Sequence, residues 1–177
     1  GGAVDAQGVA GALKRDASSR AVYVQASETS TAVAHDVKAL ADIVKGYEET
    51  ILVVDAITAL GVLDLKTDAW GLDVVITGSQ KALMLPPGLA FASVSEKAWR
   101  LADKAKNAAF YFNFKREREN QQKSTTAYTP AVSLILGLKE VMNMLKAEGL
   151  EAVFARHAML ATAMREGVKA AGLSIFP

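Results

Sequence analysis

Three short β-branched runs, with an amphipathic helix between the first two, limit what this chain can fold into more than any other feature. Ala21–Gln25 (AVYVQ), Ile51–Val54 (ILVV) and Asp73–Thr77 (DVVIT) each have the length and residue types of a strand. Between the first two, Val37, Leu40, Ala41 and Val44 recur at helical spacing, His35, Asp36, Lys38, Asp42 and Lys45 fall elsewhere, and Gly46 marks the stop. A strand, a crossover helix and a second strand in one sheet run parallel, because a tight hairpin is the only short route to an antiparallel pair. The segment from Ile57 to Leu72 returns the chain for the third strand, and Gly61 and Gly71 interrupt any long helix there. Pro86, Pro87 and Gly88 then force a turn into a fourth run, Leu89–Ser95, which so short a connection makes antiparallel to the third. The expected fold class is α/β, with a mixed, mostly parallel sheet flanked by helices.

The rest of the chain reads as helical. Ser95 is an N-cap for a helix carrying Trp99 and Leu101 toward Ala105, and Asn113–Asn120 (NFKREREN) is a mixed-sign charge run read as a solvated loop or helix face. Pro130 opens a helix that is apolar nearly all round as far as Leu138, which predicts burial against the sheet or a partner, and Gly149 ends it. A last helix, Leu150–Ala171, places Val153, Leu160, Met164 and Val168 on one side with His157 among them, the position of a packed residue rather than a ligand. Gly172 stops that helix, and the final residues read as the start of a new strand.

At 177 residues and 51% hydrophobic content the chain is the size of one domain with a sizeable core. Twenty basic against nineteen acidic residues leave a net charge of +1, which gives no electrostatic case for nucleic acid or an anionic membrane. The expected partners are small molecules or another protein chain. No apolar run approaches the roughly 18 residues of a bilayer span. The absence of cysteine excludes disulfides, thiolate metal sites and a cysteine nucleophile, and fits a cytoplasmic location. Gly1 and Gly2 open the chain without a methionine, so an internal piece of a longer protein is expected.

Ligands of open α/β sheets bind beyond the carboxyl ends of the parallel strands, where backbone donors and helix N-termini gather. Here the first strand is followed by Ser27–Thr31 (SETST), the second by Asp55, and the third by Gly78–Lys81 (GSQK). Hydroxyls, one carboxylate and one lysine therefore meet at one rim, and no histidine and carboxylate cluster is spaced for a metal. That inventory suits a lysine amine holding an aldehyde cofactor. Such a lysine must lose its proton, which apolar flanks like VVIT and ALML would assist, while an aspartate beside a pyridine nitrogen favours the protonated, electron-accepting ring. On the bland side, Asp55 can be the cap of the segment that starts at Ile57, and the SETST hydroxyls can cap a helix beginning near Ala34.

VDAITALG, followed by GLDVVITGSQKALMLPPG, with SETST upstream and YTPAVSLILGL downstream, resembles the class V aminotransferases of the fold type I pyridoxal phosphate enzymes, in particular the alanine, serine and glyoxylate group. The resemblance runs over essentially the whole chain. It implies the large domain of such an enzyme, incomplete, with pyridoxal 5'-phosphate as cofactor. Lys81 is then the internal-aldimine lysine and proton-moving base, Asp55 the partner of the pyridinium nitrogen, and Ile57 the packing surface under the ring. Ser30 corresponds to the hydroxyl near the ring's phenolic oxygen, with Thr29 and Thr31 as neighbours able to take that place, and Gln80 to a phosphate contact. Thr125, Thr126 and Tyr128 fall in the segment that in this family reaches the partner subunit's phosphate, which implies a homodimer with a shared site. The implied reaction moves an amino group from a small amino acid, alanine or serine, to a 2-oxo acid, glyoxylate or pyruvate.

Other readings stand beside this one. A lyase of the cysteine desulfurase type shares the lysine and aspartate but usually has histidine where Gln80 stands. A Rossmann-type nucleotide module lacks support, because no G-x-G-x-x-G follows a strand. A catalytically incompetent fragment or scaffold is the third, since the family's N-terminal phosphate loop and C-terminal small domain, with its substrate-clamping arginine, are expected to lie outside residues 1–177. Such a piece alone is expected not to turn over.

Overall fold

The structure, a computed structural model, describes residues 2–175. Helix α1 (Ala6–Arg15) precedes strand β1 (Ala21–Gln25), a short hairpin of β2 (Ser27–Glu28) and β3 (Val33–Ala34), and helix α2 (Val37–Val44). Strand β4 (Ile51–Asp55), helix α3 (Thr67–Trp70), and strands β5 (Val74–Gly78) and β6 (Ala90–Val94) follow. Helices α4 (Glu96–Lys104), α5 (Phe114–Gln122), α6 (Val132–Glu148) and α7 (Leu150–Ala170) complete the described chain. Side-chain caps set several helix starts. Asp5 accepts from the N–H groups of Gln7 and Gly8, Asp36 from Ala39, Ser95 from Ala98 and Asn113 from Arg116.

The main sheet has four strands in the order β1-β4-β5-β6, the first three parallel and β6 antiparallel to β5. Because side chains alternate across a strand, registered residues share a face. One face carries Val24, Leu52, Val54 and Val75, all buried, against Val37, Leu40, Ala41 and Val44 of α2 and Leu13 of α1. The opposite face carries two rows, Tyr23–Val53–Val74–Val94 and Gln25–Asp55–Ile76–Ala92. That face is partly open. Tyr23 is 77% exposed and Ile76 37%.

Asp73 fastens the amino end of β5 to its neighbours. Its buried carboxylate accepts from the Leu52 N–H at 3.0 Å, the Ser95 hydroxyl at 3.0 Å and Lys97 Nζ at 3.2 Å, while its carbonyl accepts the Ser95 N–H at 2.8 Å. One buried acid thus ties β4, β5 and the start of α4 together.

Several details differ from the sequence expectation. Helix α1 and the β2–β3 hairpin lie in stretches for which no element is predicted, whereas the charge run is the solvated helix face that is one of its two expected forms, α5, with no buried residue. Of the two burials expected for helix α6, against the sheet or against a partner, the one against the sheet does not occur. Only Val141 among its residues is buried, whereas Val132, Ile135 and Leu136 are exposed. The reason is where it rests: Leu134 and Gly137 meet the loop at Gly88 and Leu85, and the helix packs along α7, leaving the rest of its apolar surface uncovered. The stripe on α7 is likewise covered at Val153 but exposed at Leu160 and Met164. No strand forms over Leu173–Ile175, and the last two residues of that expected strand lie outside the described ones. Among the described residues no helix is long and apolar enough to cross a membrane.

Replacing Asp73 with Ala strands the buried Leu52 N–H and leaves Lys97 without its carboxylate. The expected loss is about 1–3 kcal/mol, read as a lowered midpoint in urea unfolding at unchanged slope.

Candidate active site

The three parallel strands end together. Gln25, Asp55 and Ile76 share one row, so the segments that leave β1, β4 and β5 start from a common rim. Backbone bonds join those exits: Ala26 N–H donates to the Asp55 carbonyl at 2.8 Å, and Ala56 N–H to the Ile76 carbonyl at 2.8 Å. Two hydroxyls add to them, Thr58 donating to the Ser27 carbonyl at 3.1 Å and Thr77 to the Ala56 carbonyl at 3.4 Å. The rim is a laced edge.

Asp55 stands at the end of β4, the strand between β1 and β5, half-buried on the open face. One of its oxygens accepts the Ile57 N–H at 2.9 Å, an interaction that turns the chain out of the strand. The aspartate therefore does make the local cap anticipated for it, with one oxygen only. A groove of about 610 Å³ opens beside it, lined by Asp55, Ile57 and Thr77 on the sheet side and by Trp99, Phe114 and Arg118 on the helical side. The Arg118 guanidinium lies over the Trp99 ring, 4.5 Å from its centre.

Gln80 and Lys81 follow β5 in the loop that ends at Leu89. A Cβ placed on Gly78 would stand 2.6 Å from Gln80 Oε1 and 3.3 Å from Ile57 Cδ1, so the bare glycine lets the Gln80 amide fold back beside Ile57. Three of the residues singled out from sequence, Asp55, Ile57 and Gln80, are brought together in this way. Lys81 comes next on the rim and is exposed, outside the groove lining. The apolar flanks expected to shield it are turned elsewhere: Val74, Val75 and Leu83 are buried in the body of the protein, while Met84 is 60% exposed. Farther along, Gly88 has a φ of +147°, and a Cβ there would lie 2.5 Å from Leu134 Cδ1, so the glycine allows α6 to close on the lysine loop.

The SETST hydroxyls do not cap α2, whose cap is Asp36. That of Ser30 braces the β2–β3 turn instead. Glu28 Oε1 accepts from the Ser30 N–H at 2.8 Å and the Ser30 hydroxyl at 2.7 Å. These two bonds hold the Glu28 carboxyl below its ordinary range, the backbone bond being the larger cause. Ser30 is thus engaged by its own turn, while Thr29 is exposed and Thr31 half-buried.

Thr125, Thr126 and Tyr128 lie between α5 and α6, in a separate cluster. The Thr126 hydroxyl donates to the Tyr128 carbonyl at 2.6 Å, and the Tyr128 ring stacks on Tyr111 with centres 4.1 Å apart. Arg116 Nη1 donates to the Tyr128 hydroxyl at 3.1 Å. Sequence reasoning passed over Tyr111 and Arg116, and over Thr58 and Ser79 at the rim. Arg116 was subsumed in a charge run. Ser79 and Thr58 had only their places next to Lys81 and Asp55 as a signal.

The donor set at the rim fits pyridoxal phosphate: a carboxylate with one oxygen committed to the backbone, a branched apolar shelf at Ile57, an amide, and an amine on the following loop. The family description "Aminotransferase class-V" matches residues 2–175. The chain is 46% identical over 162 residues to a protein of Synechococcus named soluble hydrogenase, small subunit, covering 92% of this chain and 42% of that one. It is 38% identical over 160 residues to the serine–glyoxylate aminotransferase of Hyphomicrobium methylovorum, covering 88% and 39%. Among solved structures, pyridoxamine-pyruvate aminotransferase from Mesorhizobium loti superposes with a TM-score of 0.89 at 34% identity, covering 97% of this chain and 44% of that one. The chain therefore spans roughly two fifths of the length of these relatives.

The Glu28–Ser30 pairing has a pH signature. A carboxyl lowered by folding contributes stability above its unfolded value, and that contribution is lost as pH falls through the folded value. Followed by NMR, Glu28 is expected to titrate below 4.5, and Ser30→Ala to move its midpoint part of the way back, since the backbone bond persists.

Proposed function

Because the chain belongs to the class V aminotransferase family, we propose that it is the cofactor-binding large-domain portion of an aminotransferase that takes an amino group from alanine or serine and gives it to glyoxylate or pyruvate. The observation that carries this reading is the shared rim, where Asp55 ends the central parallel strand and the loop holding Gln80 and Lys81 leaves its neighbour. Pyridoxal phosphate would supply there an aldehyde for an amine and a ring that accepts the electron pair of a broken Cα–H bond.

The chain's own part follows from its chemistry. Asp55, with one oxygen on the Ile57 N–H, keeps the other for a ring N–H, a charge-assisted bond worth about 1.5–3 kcal/mol. Ile57 gives the ring an apolar shelf, and the Gln80 amide is a donor for a phosphate oxygen. Ser30, whose hydroxyl is held by Glu28 in this structure, or Thr29 or Thr31 beside it, would be the hydroxyl near the ring's phenolic oxygen. Lys81 Nζ would be the amine that holds the cofactor's aldehyde and, as a free amine, the base that would move the substrate's α-proton. Thr125, Thr126 and Tyr128 belong to the phosphate site of a second subunit, in a cytoplasmic homodimer whose remaining segments lie outside residues 1–177.

Two other readings are weaker. Gln80 in place of histidine speaks against a desulfurase. The hydrogenase name of the Synechococcus relative finds little chemical support, since the chain has no cysteine and its described residues hold no cluster of three metal-ligating side chains.

Borohydride reduction in the presence of pyridoxal phosphate, followed by peptide mapping, tests the proposal. The label should sit on Lys81 and vanish from that peptide in Lys81→Ala. Asp55→Ala should weaken cofactor binding by roughly tenfold to a hundredfold. Label scattered over surface lysines would leave the scaffold reading.

A further inference from the structure

Ser79 is fully buried, two residues before Lys81, and each of its polar groups is turned inward to the same loop. Its N–H donates to the Leu89 carbonyl at 3.1 Å, and its carbonyl accepts the Leu85 N–H at 3.1 Å. Its hydroxyl donates to the Pro86 carbonyl at 2.7 Å and accepts the Leu89 N–H at 3.2 Å. The backbone bond to Leu89 continues the β5–β6 ladder one step past Gly78 and Ala90. The hydroxyl bonds do something the ladder cannot. They pull Pro86 and Leu89 onto one oxygen and so tighten the ring, already closed over residues 79–85 by the Leu85 N–H, from which Gln80 and Lys81 project.

We propose that Ser79 is a positioning residue, whose buried hydroxyl fixes the loop so that the Lys81 amine is delivered to the Asp55 rim. The inference deepens the aminotransferase reading and rests on it. Lys81 itself is exposed and, within the loop, its carbonyl accepts the Met84 N–H at 2.9 Å, a turn that sets only its local backbone. The link from that turn to the sheet runs through Ser79. The ladder and Gly88 join β5 to β6, and the arc that contains the lysine is held by the Leu85 N–H on the Ser79 carbonyl together with the hydroxyl's two bonds, the part a side-chain substitution removes.

The buried hydroxyl of Thr50 is a matched control. It is 1% exposed and donates to the Ser19 carbonyl at 2.7 Å, at the opposite end of β4 from Asp55. The 177-residue chain, with pyridoxal phosphate as the probe, is reduced with borohydride as wild type, Ser79→Ala and Thr50→Val, with folding of each confirmed by circular dichroism. The readout is the label on Lys81 relative to exposed Lys139, which general destabilisation of a folded chain does not move. Ser79→Ala should lower that ratio by roughly tenfold, the scale of a displaced reacting group, and Thr50→Val should leave it unchanged. If Ser79→Ala does not fold, Ser79→Cys, which keeps a weaker donor and acceptor of similar size, carries the measurement with a smaller drop in the same direction. A wild-type ratio in both Ser79 and Thr50 variants, or an equal fall in both, overturns the positioning role while leaving Lys81 as the cofactor lysine. A wild-type chain without label on Lys81 overturns both readings.

Discussion

The structure depends on the burial of one face of a parallel sheet. Val24, Leu52, Val54 and Val75 are removed from water against α2 and α1, and a slip of one residue in any of these strands would turn the buried row outward. Each such side chain contributes about 1.5–3 kcal/mol, so the register is held far more firmly by this apolar face than by any rim contact. Fixing that face fixes the other. Gln25, Asp55, Ile76 and Ala92 are placed in one open row by residues whose side chains lie on the other face. The position of the acid at the rim is thus a by-product of core packing, and the chemistry inherits its precision from the hydrophobic side.

The rim adds a second level of order. Asp55 divides its function between the strand exit, through the Ile57 N–H, and the open face. Gly78 gives up its side chain so that the Gln80 amide can lie beside Ile57, and Gly88 adopts a backbone closed to other residues so that Leu134 can press on the loop. Glycine at both ends of the lysine loop, a buried hydroxyl and the buried Leu83 within it hold the exposed Gln80 and Lys81 on a loop of one shape.

Much of this was legible from residue order. The strands and α2 are readable because alternation and helical spacing report burial directly, and Pro86, Pro87 and Gly88 announce the reversal into β6. That β4 ends at Asp55 and β5 just before the Lys81 loop, at one rim, is readable because it follows from parallel pairing. The failures have physical causes. The hairpin at Ser27–Ala34 is too short for periodicity to show, so residue order does not reveal that Glu28 is the partner of the Ser30 hydroxyl. The shielding expected for Lys81 assumed that apolar neighbours in sequence are neighbours in space, yet Val74, Val75 and Leu83 turn into the body and leave the lysine out. The apolar surface of α6 says that something should cover it, but no pattern in one chain says what. Ser79 was invisible because a buried serine and a surface serine are the same letter.

The central claim is that the Asp55 carboxylate and the Lys81 amine serve the two ends of one pyridine ring. The direct measurement is the ¹⁵N chemical shift of ring-labelled pyridoxal phosphate fixed on Lys81 by reduction, compared between wild type and Asp55→Ala. The account predicts a ring nitrogen that stays protonated well above its free range in the wild type and loses its proton in the variant. An identical shift in both proteins would show that the acid does not reach the ring, and would contradict it.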